Sequence, residues 1–387
     1  MDRIRREEMN YSDRDAFRFY PVYPVHPVKF LLSSSRLHPS ALLFAVLLTL
    51  LIAPLLFAQN GREASAQPQP SARVEEQDID EGDVISVSTS EVLLPVTVRD
   101  AGGQLVTTLT RKDFRVFEEG REQPLSDLAL RQVPVDVVLM IDASSSVAGN
   151  LDDFRRAVEG FARRLAPDDR ISLIKFDDRV ELLQDWTQSR VQLSRSLRRI
   201  MPGVFTRFND ALLLAAREQF QATRGGRHAL IVLTDGIDSG RGYATLEAAL
   251  RSLLEAQATV YVVSNTEIER AGKRQELDTL LSGPPSTVRF NQLRIGDLRE
   301  GLRVLDESER SLAQLTAATG GRLYRPRSFD ALDATYAEVA DELRHQYALY
   351  YTPLDKTRDG RFRRVRVETV DPSLKVSARI GYYAPRR

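Results

Sequence analysis

Long apolar runs alternate with amphipathic stripes over more than half of the chain, from Val135 to about residue 353. The runs are apolar almost throughout, as in strands that are buried on both faces of a parallel sheet. Between them, apolar residues recur at spacings of three and four, which is typical of helices with one buried face. Strands that alternate with helices form βαβ units. We therefore expect an α/β fold, a Rossmann-like, doubly wound, mostly parallel sheet with helices on both faces. The predicted strands are VDVVLMI (135–141), ISLIKF (171–176), ALIVLT (229–234) and TVYVVS (259–264), with VELLQDW (180–186) as an antiparallel partner of the second.

Sequence of β type flanks this region on both sides. Residues 83–131 alternate apolar and polar positions between turn signals, which predicts a small β segment. Residues 354–387 return to the same alternation and predict a C-terminal β hairpin. We place the α/β domain at 132–353. Because an isolated hairpin is only marginally stable in water, we expect the two flanks to pack together.

An apolar segment near the N-terminus predicts export. Residues 41–58 are apolar or small and carry no charge, and they are just long enough to span a membrane. A cleaved signal peptide, with small-residue sites at Ala58 or 64–66, and a retained transmembrane anchor both remain open. Residues 1–40 form a leader, and the polar, acidic stretch 59–82 predicts a disordered linker. On either interpretation the α/β domain lies outside the cytoplasm, in a protein that is periplasmic, secreted or membrane-anchored.

Oxygen-bearing side chains stand in three loops where predicted strands end or a helix begins. The carboxyl ends of parallel strands share one edge of a sheet, and ligands bind there. Carboxylates and hydroxyls are all oxygen donors, and oxygen-only sites suit Mg²⁺ or Mn²⁺. Neutral hydroxyls leave excess positive charge on the cation, so a carboxylate from a partner can complete its shell. The residues are Asp142, Ser144 and Ser146 after the first strand, Thr206 before a helix, and Asp235 after ALIVLT.

The pattern Asp142-x-Ser144-x-Ser146, followed by Thr206 and Asp235, resembles the metal-ion-dependent adhesion site of von Willebrand factor type A domains. The resemblance implies a Rossmann-like fold, a bound Mg²⁺ and a protein ligand that supplies a carboxylate. It also implies that the serines coordinate directly, whereas the threonine and the aspartates alternate between direct and water-mediated contact. Phe205 departs from the family, which often has a glycine before the threonine. The resemblance covers about residues 133–353, and DFRVFEEG (113–120), LRHQYALYYTP (343–353) and RIGYYAP (379–385) are similar to a bacterial, acidobacterial-type group of the family.

Each of these residues also has a structural explanation when it is taken alone. Asp142 and the serines that follow it can cap a helix, and Thr206 and Asp235 can be capping or turn residues. Their joint occurrence in the right order, each at the end of its own element, favours the metal site.

We expect a metal-ion-dependent protein-binding or adhesion module and no enzyme. The sequence has no Gly-x-Ser-x-Gly elbow and no phosphate-binding glycine loop. It also has no cysteine, which excludes thiolate metal sites, and its 54 basic residues balance 54 acidic ones, so no net field favours nucleic acid. The alternative is a cell-envelope scaffold or assembly factor with a structural metal. A metal-dependent hydrolase is a remote alternative, since it needs a general base and none is visible near the site.

The stretch 266–308 is too long for an ordinary loop between a strand and a helix. Gly283, Pro284 and Pro285 favour local disorder, whereas leucines at helical spacing on both sides favour structure. We predict a partly helical insertion that borders the metal and sets ligand choice, followed by a helix at 309–319. Because the insertion leaves the carboxyl end of a parallel strand, it is expected on the same edge as Asp142 and Asp235.

Overall fold

The computed structural model describes residues 91–130, 133–145, 148–221 and 226–386. The leader at 1–40, the apolar segment at 41–58 and the linker at 59–82 lie outside the described residues, as do residues 83–90 of the β segment. None of the described helices combines the length and the apolar character needed to cross a bilayer.

Fourteen strands and eight α-helices make up the described part of the chain. The strands are β1 (Val92–Arg99), β2 (Phe114–Glu118), β3 (Arg121–Gln123), β4 (Leu125–Leu130), β5 (Val135–Asp142), β6 (Arg170–Phe176), β7 (Val180–Thr187), β8 (Arg227–Thr234), β9 (Ala258–Ser264), β10 (Leu323–Tyr324), β11 (Tyr347–Tyr351), β12 (Phe362–Thr369), β13 (Lys375–Ser377) and β14 (Gly381–Tyr383). The helices are α1 (Leu151–Arg164), α2 (Arg190–Leu197), α3 (Phe208–Leu214, continued by a π-helical segment, Ala215–Phe220), α4 (Leu246–Glu255), α5 (Thr266–Leu281), α6 (Pro285–Phe290), α7 (Gln292–Thr319) and α8 (Leu332–Arg344).

A six-stranded sheet forms the centre of the molecule, with the strand order β10-β9-β8-β5-β6-β7. All neighbours pair in parallel except β7, which is antiparallel to β6 at one edge, as predicted. Helices α1, α2 and α8 cover one face, and α3, α4 and α7 cover the other. The predicted α/β fold with a mostly parallel sheet is therefore confirmed. The chain runs from β5 outward to β6 and later returns to β8 on the other side of β5, so the strand order reverses between β5 and β8.

The strands at both ends of the chain form two further four-stranded sheets, in the orders β13-β1-β11-β4 and β14-β12-β2-β3. Their inner faces share one apolar cluster that includes Leu94, Val116, Tyr347 and Val365. Since β1 pairs with β13 and β2 pairs with β12, the expectation that the N-terminal and C-terminal flanks pack together is confirmed.

Two expectations about these flanks are corrected. The run YALYY, placed at the end of the α/β domain, forms β11, which pairs with β1 and β4 and not with the parallel sheet. It is buried on both faces, like a central strand of either sheet, so its apolar pattern does not reveal its partner. The predicted C-terminal hairpin is divided between two sheets, because β13 pairs with β1 while β12 pairs with β2 and β14.

The stretch 266–308 is helical almost throughout, where a partly helical insertion was predicted. Helices α5 and α7 pack side by side, and α7 begins at Gln292, well before the predicted start at residue 309. Pro285 occupies the start of α6, where proline's missing N–H costs nothing, so the Gly-Pro-Pro sequence marks a turn between helices. We refer to α5, α6 and α7 together as the helical hairpin.

Candidate metal centre

Asp142 is the last residue of β5, and its side chain is fully buried, at 0% exposed. Its Oδ1 accepts a hydrogen bond from the backbone N–H of Ser144 at 2.9 Å. Its Oδ2 accepts one from the hydroxyl of Thr234 on the neighbouring strand β8, at 2.8 Å. Both carboxylate oxygens are therefore held in place. Ser144 is also buried, and Ser146 lies outside the described residues.

The loop that carries Thr206 is fixed against the loop after β6. The backbone N–H groups of Val204 and Phe205 both donate to the carboxylate of Asp178, each at 3.1 Å. The ring of Phe205, which replaces the family's glycine, lies 3.6 Å from the guanidinium carbon of Arg241. Phe205 thus fits without displacing the loop, and Thr206 is buried beside it.

Glycine is required at the start of this loop. A side chain at Gly203 would come within 2.6 Å of the carboxyl group of Asp177. The close approach lets the N–H of Gly203 donate to the carbonyl of Ala143 at 2.8 Å, which joins the Thr206 loop to the loop after β5.

Asp235 follows β8 directly and is buried. Its Oδ1 accepts a hydrogen bond from the N–H of Ile237 at 2.9 Å, and its backbone carbonyl accepts one from the hydroxyl of Ser308 on α7. Gly236 has a φ of +73°, and a Cβ there would lie 2.7 Å from both Ser308 and Leu312. A tight left-handed turn at Gly236 therefore seats this loop against the helical hairpin.

The loops of Asp235 and Thr206 are also joined to each other. The N–H of Thr206 donates to the hydroxyl of Ser239 at 2.8 Å, and the N–H of Ser239 donates to the carbonyl of Thr206 at 2.9 Å. Asp238 accepts from the N–H of Asn209 at 2.9 Å in the first turn of α3. The structure thus brings the loops of Asp142, Thr206 and Asp235 together at the carboxyl ends of β5 and β8, where the strand order reverses.

The site carries more negative charge than its surroundings balance. Burial raises the pKa of Asp142 to about 7, with a further contribution from the charge of Asp235, and the hydrogen bonds from Ser144 and Thr234 only partly offset this. No basic side chain of the described residues is among the groups that influence this pKa. A divalent cation between Asp142 and Asp235 supplies the missing positive charge, so the donor set fits a hard metal ion.

Two further polar residues stand at this edge, and sequence reasoning missed both. Asn265 directly follows β9, and Glu269 lies in the first turns of α5. Burial raises the pKa of Glu269 to about 7, and the neighbouring Asp235 carboxylate raises it further, while Lys273 acts in the opposite sense. A signal for Asn265 was present, because it is the first residue after the run TVYVVS and so marks the carboxyl end of a third parallel strand.

Neither described histidine stands near these loops. His228 lies near the start of β8, at the opposite end from Asp235, and its Nδ1 is 2.8 Å from the carbonyl oxygen of Ala256. His345 follows α8. Across the described ranges, no three acidic or histidine side chains converge as a metal cluster on their own, so a cation here would need hydroxyl or amide oxygens as well.

Comparison with known proteins identifies the central domain. The family model for the von Willebrand factor type A domain matches residues 136–300, so this part of the chain is a type A domain. An uncharacterised protein from Synechocystis sp. is 28% identical over 109 residues, which are 27% of this chain and 26% of that protein. The minor fimbrium subunit Mfa5 from Porphyromonas gingivalis is 30% identical over 115 residues, which are 27% of this chain and 9% of the subunit. This chain therefore matches only a small part of the length of either relative.

A solved structure is similar at the level of the fold. The von Willebrand factor type A protein from Catenulispora acidiphila has a TM-score of 0.41 and 14% sequence identity, with 61% of this chain and 50% of that one covered.

Proposed function

We propose that this protein binds another protein through a divalent cation, Mg²⁺ or Mn²⁺, held where β5 and β8 end. Type A domains are protein-interaction and adhesion modules, and the proposal gives this one its site. The observation that carries it is the pair Asp142 and Asp235, two buried carboxylates at the reversal of strand order whose mutual repulsion raises the pKa of Asp142 to about 7. The proposed ligands are Asp142, Ser144, Ser146, Thr206 and Asp235.

The donors divide between charged and neutral groups, which suits partner capture. Asp142 and Asp235 offset the charge of the ion, and the hydroxyls of Ser144, Ser146 and Thr206 add neutral oxygens. When bound, the cation supplies a Lewis-acidic position that a carboxylate of the partner can fill. Asp142 is already oriented for this role by Ser144 and Thr234, so little rearrangement is needed on binding.

Apolar side chains beside the Thr206 loop support a macromolecular partner. Met201 and Val204 are exposed on this loop, and Tyr243, in the loop after β8, is 94% exposed. Arg207 lies near the ring of Tyr243, so the two loops are neighbours at this surface. Exposed apolar groups rimmed by polar residues are typical of protein-binding surfaces.

A place outside the cytoplasm fits this function. The apolar segment 41–58 predicts export, and one relative of the type A domain is a fimbrium subunit. We propose that the domain acts in the cell envelope or outside the cell, as an adhesion or assembly module.

Partner capture in the presence and absence of metal tests the proposal. The purified full chain is immobilised and exposed to envelope extract from the source cells in Mg²⁺ and in EDTA. We expect a retained protein that is lost in EDTA and lost with Asp142→Ala, but kept with Asp127→Ala, which removes an exposed aspartate from β4. Retention that survives both EDTA and Asp142→Ala, with the fold unchanged by circular dichroism, would favour a scaffold with a structural metal.

A further inference from the structure

Asn265 and Glu269 stand one strand beyond the proposed metal centre. Strand β9 lies next to β8 on the side away from β5, and neighbouring strands are about 4.8 Å apart. Asp142, Asp235 and Asn265 leave three adjacent strands at the same edge. A side chain that leaves β9 here therefore meets Asp235 from the side opposite to Asp142.

Hydrogen bonds fix Asn265 and Glu269 relative to each other. The backbone carbonyl of Asn265 accepts from the N–H groups of Ile268 and Glu269, at 3.0 and 3.1 Å, in the first turn of α5. The side-chain Nδ2 of Asn265 donates to Oε1 of Glu269 at 3.1 Å. The carboxyl group of Glu269 in turn lies within hydrogen-bonding reach of Asp235. The three side chains thus form one contiguous group of oxygens.

One of these oxygens has no partner. Asn265 is 1% exposed, and its Oδ1 accepts no hydrogen bond from any of the described residues. A buried amide oxygen without a partner is costly, so native structures usually satisfy it with a donor, a water or an ion. Its own amide nitrogen faces Glu269, which places the unsatisfied oxygen beside the two carboxyl groups.

The basic residues of α5 leave room for a cation. Arg270, next to Glu269, contacts Asp306 at 2.9 Å and Glu309 at 2.7 Å on α7. Lys273, one turn further along, lies against α7, where a Cβ at Gly301 would meet its Cδ and Cε at 3.4 Å. Its charge lowers the pKa of Glu269, but burial and Asp235 together raise it more.

We propose that Asp235, Asn265 and Glu269 form a second cation site, which shares Asp235 with the first. Two carboxylates and an amide oxygen are hard donors, and this mixture is typical of Ca²⁺. The site goes beyond the proposed function, because it requires neither Asp142 nor a partner. A cation there places a second positive charge next to Asp235 and so strengthens the field that a partner's carboxylate meets.

Counting bound ions tests the second site directly. The full chain is stripped of metal and dialysed against Ca²⁺, and bound calcium per chain is measured by atomic emission alongside isothermal titration. The test variant is Glu269→Gln, which keeps the shape and removes the charge. The matched control is Glu276→Gln on the same helix, whose exposed carboxylate pairs with Arg294 at 2.6 Å. Circular dichroism and Tm confirm that each variant is folded.

The wild type and Glu276→Gln should bind about two ions, and Glu269→Gln about one, with at least a roughly tenfold loss of affinity at the missing site. Asp142→Ala should keep the Glu269 site, whereas Asp235→Ala should weaken both. Equal stoichiometry and affinity in the wild type and Glu269→Gln would overturn the inference and leave a proton shared by Glu269 and Asp235 as the explanation. Loss of binding only with Asp142→Ala would sink the second site and retain the first, and loss only with Glu269→Gln would do the reverse.

Discussion

Asp142 is the residue on which the proposed metal centre depends most. Its position was predictable, because it follows a buried apolar run and begins an Asp-x-Ser-x-Ser pattern. The second carboxyl neighbour, Glu269, was not predictable, because it lies on a helix that the sequence pattern only partly indicates. A residue that reaches a site from the first turn of a helix carries no fixed spacing to the strand-end motifs.

The raised pKa of Asp142 makes the stability of the metal-free protein depend on pH. The folded chain holds a proton that an unfolded aspartate releases near its ordinary pKa of 3.8, so this contribution to stability is present at low pH and is lost as pH rises through about 7. We therefore expect the metal-free wild type to lose more Tm between pH 5 and pH 8 than Asp142→Asn does. A difference of a few degrees is expected, since 1 kcal/mol corresponds to about 2–4 °C for a domain of this size. Identical pH profiles for the two proteins by scanning calorimetry would contradict the assignment of this pKa.

Gly236 is the residue that lets the Asp235 loop meet the helical hairpin. Gly236→Ala combines a φ of +73° with contacts of 2.7 Å to Ser308 and Leu312, whereas Gly240→Ala meets a φ of +65° with open space around it. Gly236→Ala should therefore be less stable than Gly240→Ala by about 1–3 kcal/mol, the usual cost of overpacking. Urea unfolding measures the difference, and equal destabilisation by the two variants would show that the contact with α7 is unimportant.

At the scale of elements, the strands were easier to predict than the helical hairpin. Four apolar runs correspond to β5, β6, β8 and β9, because burial on both faces leaves little freedom in composition. Helix α7 was recognised only in its last part. Its buried apolar positions before residue 309 are sparse, and Gly296 and Gly301 interrupt the pattern, since one side of the helix packs on α5 and the rest faces solvent. The buried apolar residues of α7 are Ile295, Leu298, Leu305, Leu312 and Leu315.

The tip of the helical hairpin exposes two large apolar side chains. Phe290 at the end of α6 is 90% exposed, and Leu293 in the first turn of α7 is 86% exposed. If the hairpin sets ligand choice, the double variant Phe290→Ser and Leu293→Ser should weaken capture of the metal-dependent partner severalfold while metal affinity and Tm stay unchanged. The control is Leu354→Ser, an exposed leucine between β11 and β12. Unchanged capture by the double variant would remove the tip from the binding surface.

At the scale of the whole molecule, the two ends of the chain complete each other's sheets. Glu118 on β2 shows how closely, because its buried carboxylate accepts hydroxyl hydrogen bonds from Tyr351 on β11 at 2.7 Å and from Tyr382 on β14 at 2.9 Å. The period-two pattern predicted strands at both ends. It did not predict their division between two sheets, which depends on partners that are distant in sequence.

Removal of this carboxylate should destabilise the molecule without affecting the metal centre. Glu118→Ala leaves two tyrosine hydroxyls without their acceptor, at a cost of about 1–3 kcal/mol for each that stays buried. Glu122→Ala breaks an exposed pair with Arg115 and should cost less than about 1 kcal/mol. Urea unfolding and a Mn²⁺ titration on both variants test this, and a loss of metal affinity in folded Glu118→Ala would mean that the flanking sheets support the site directly.

Isothermal titration of the metal-free full chain with Mn²⁺ and Mg²⁺ tests the central claim most directly. The claim predicts binding to the wild type and to Asp127→Ala, and a loss of at least about 100-fold in affinity with Asp142→Ala, which removes a buried charge beside the cation. The Ser144→Ala variant should lose less, because it removes a neutral donor. Equal affinity of the wild type and a folded Asp142→Ala variant would contradict the account.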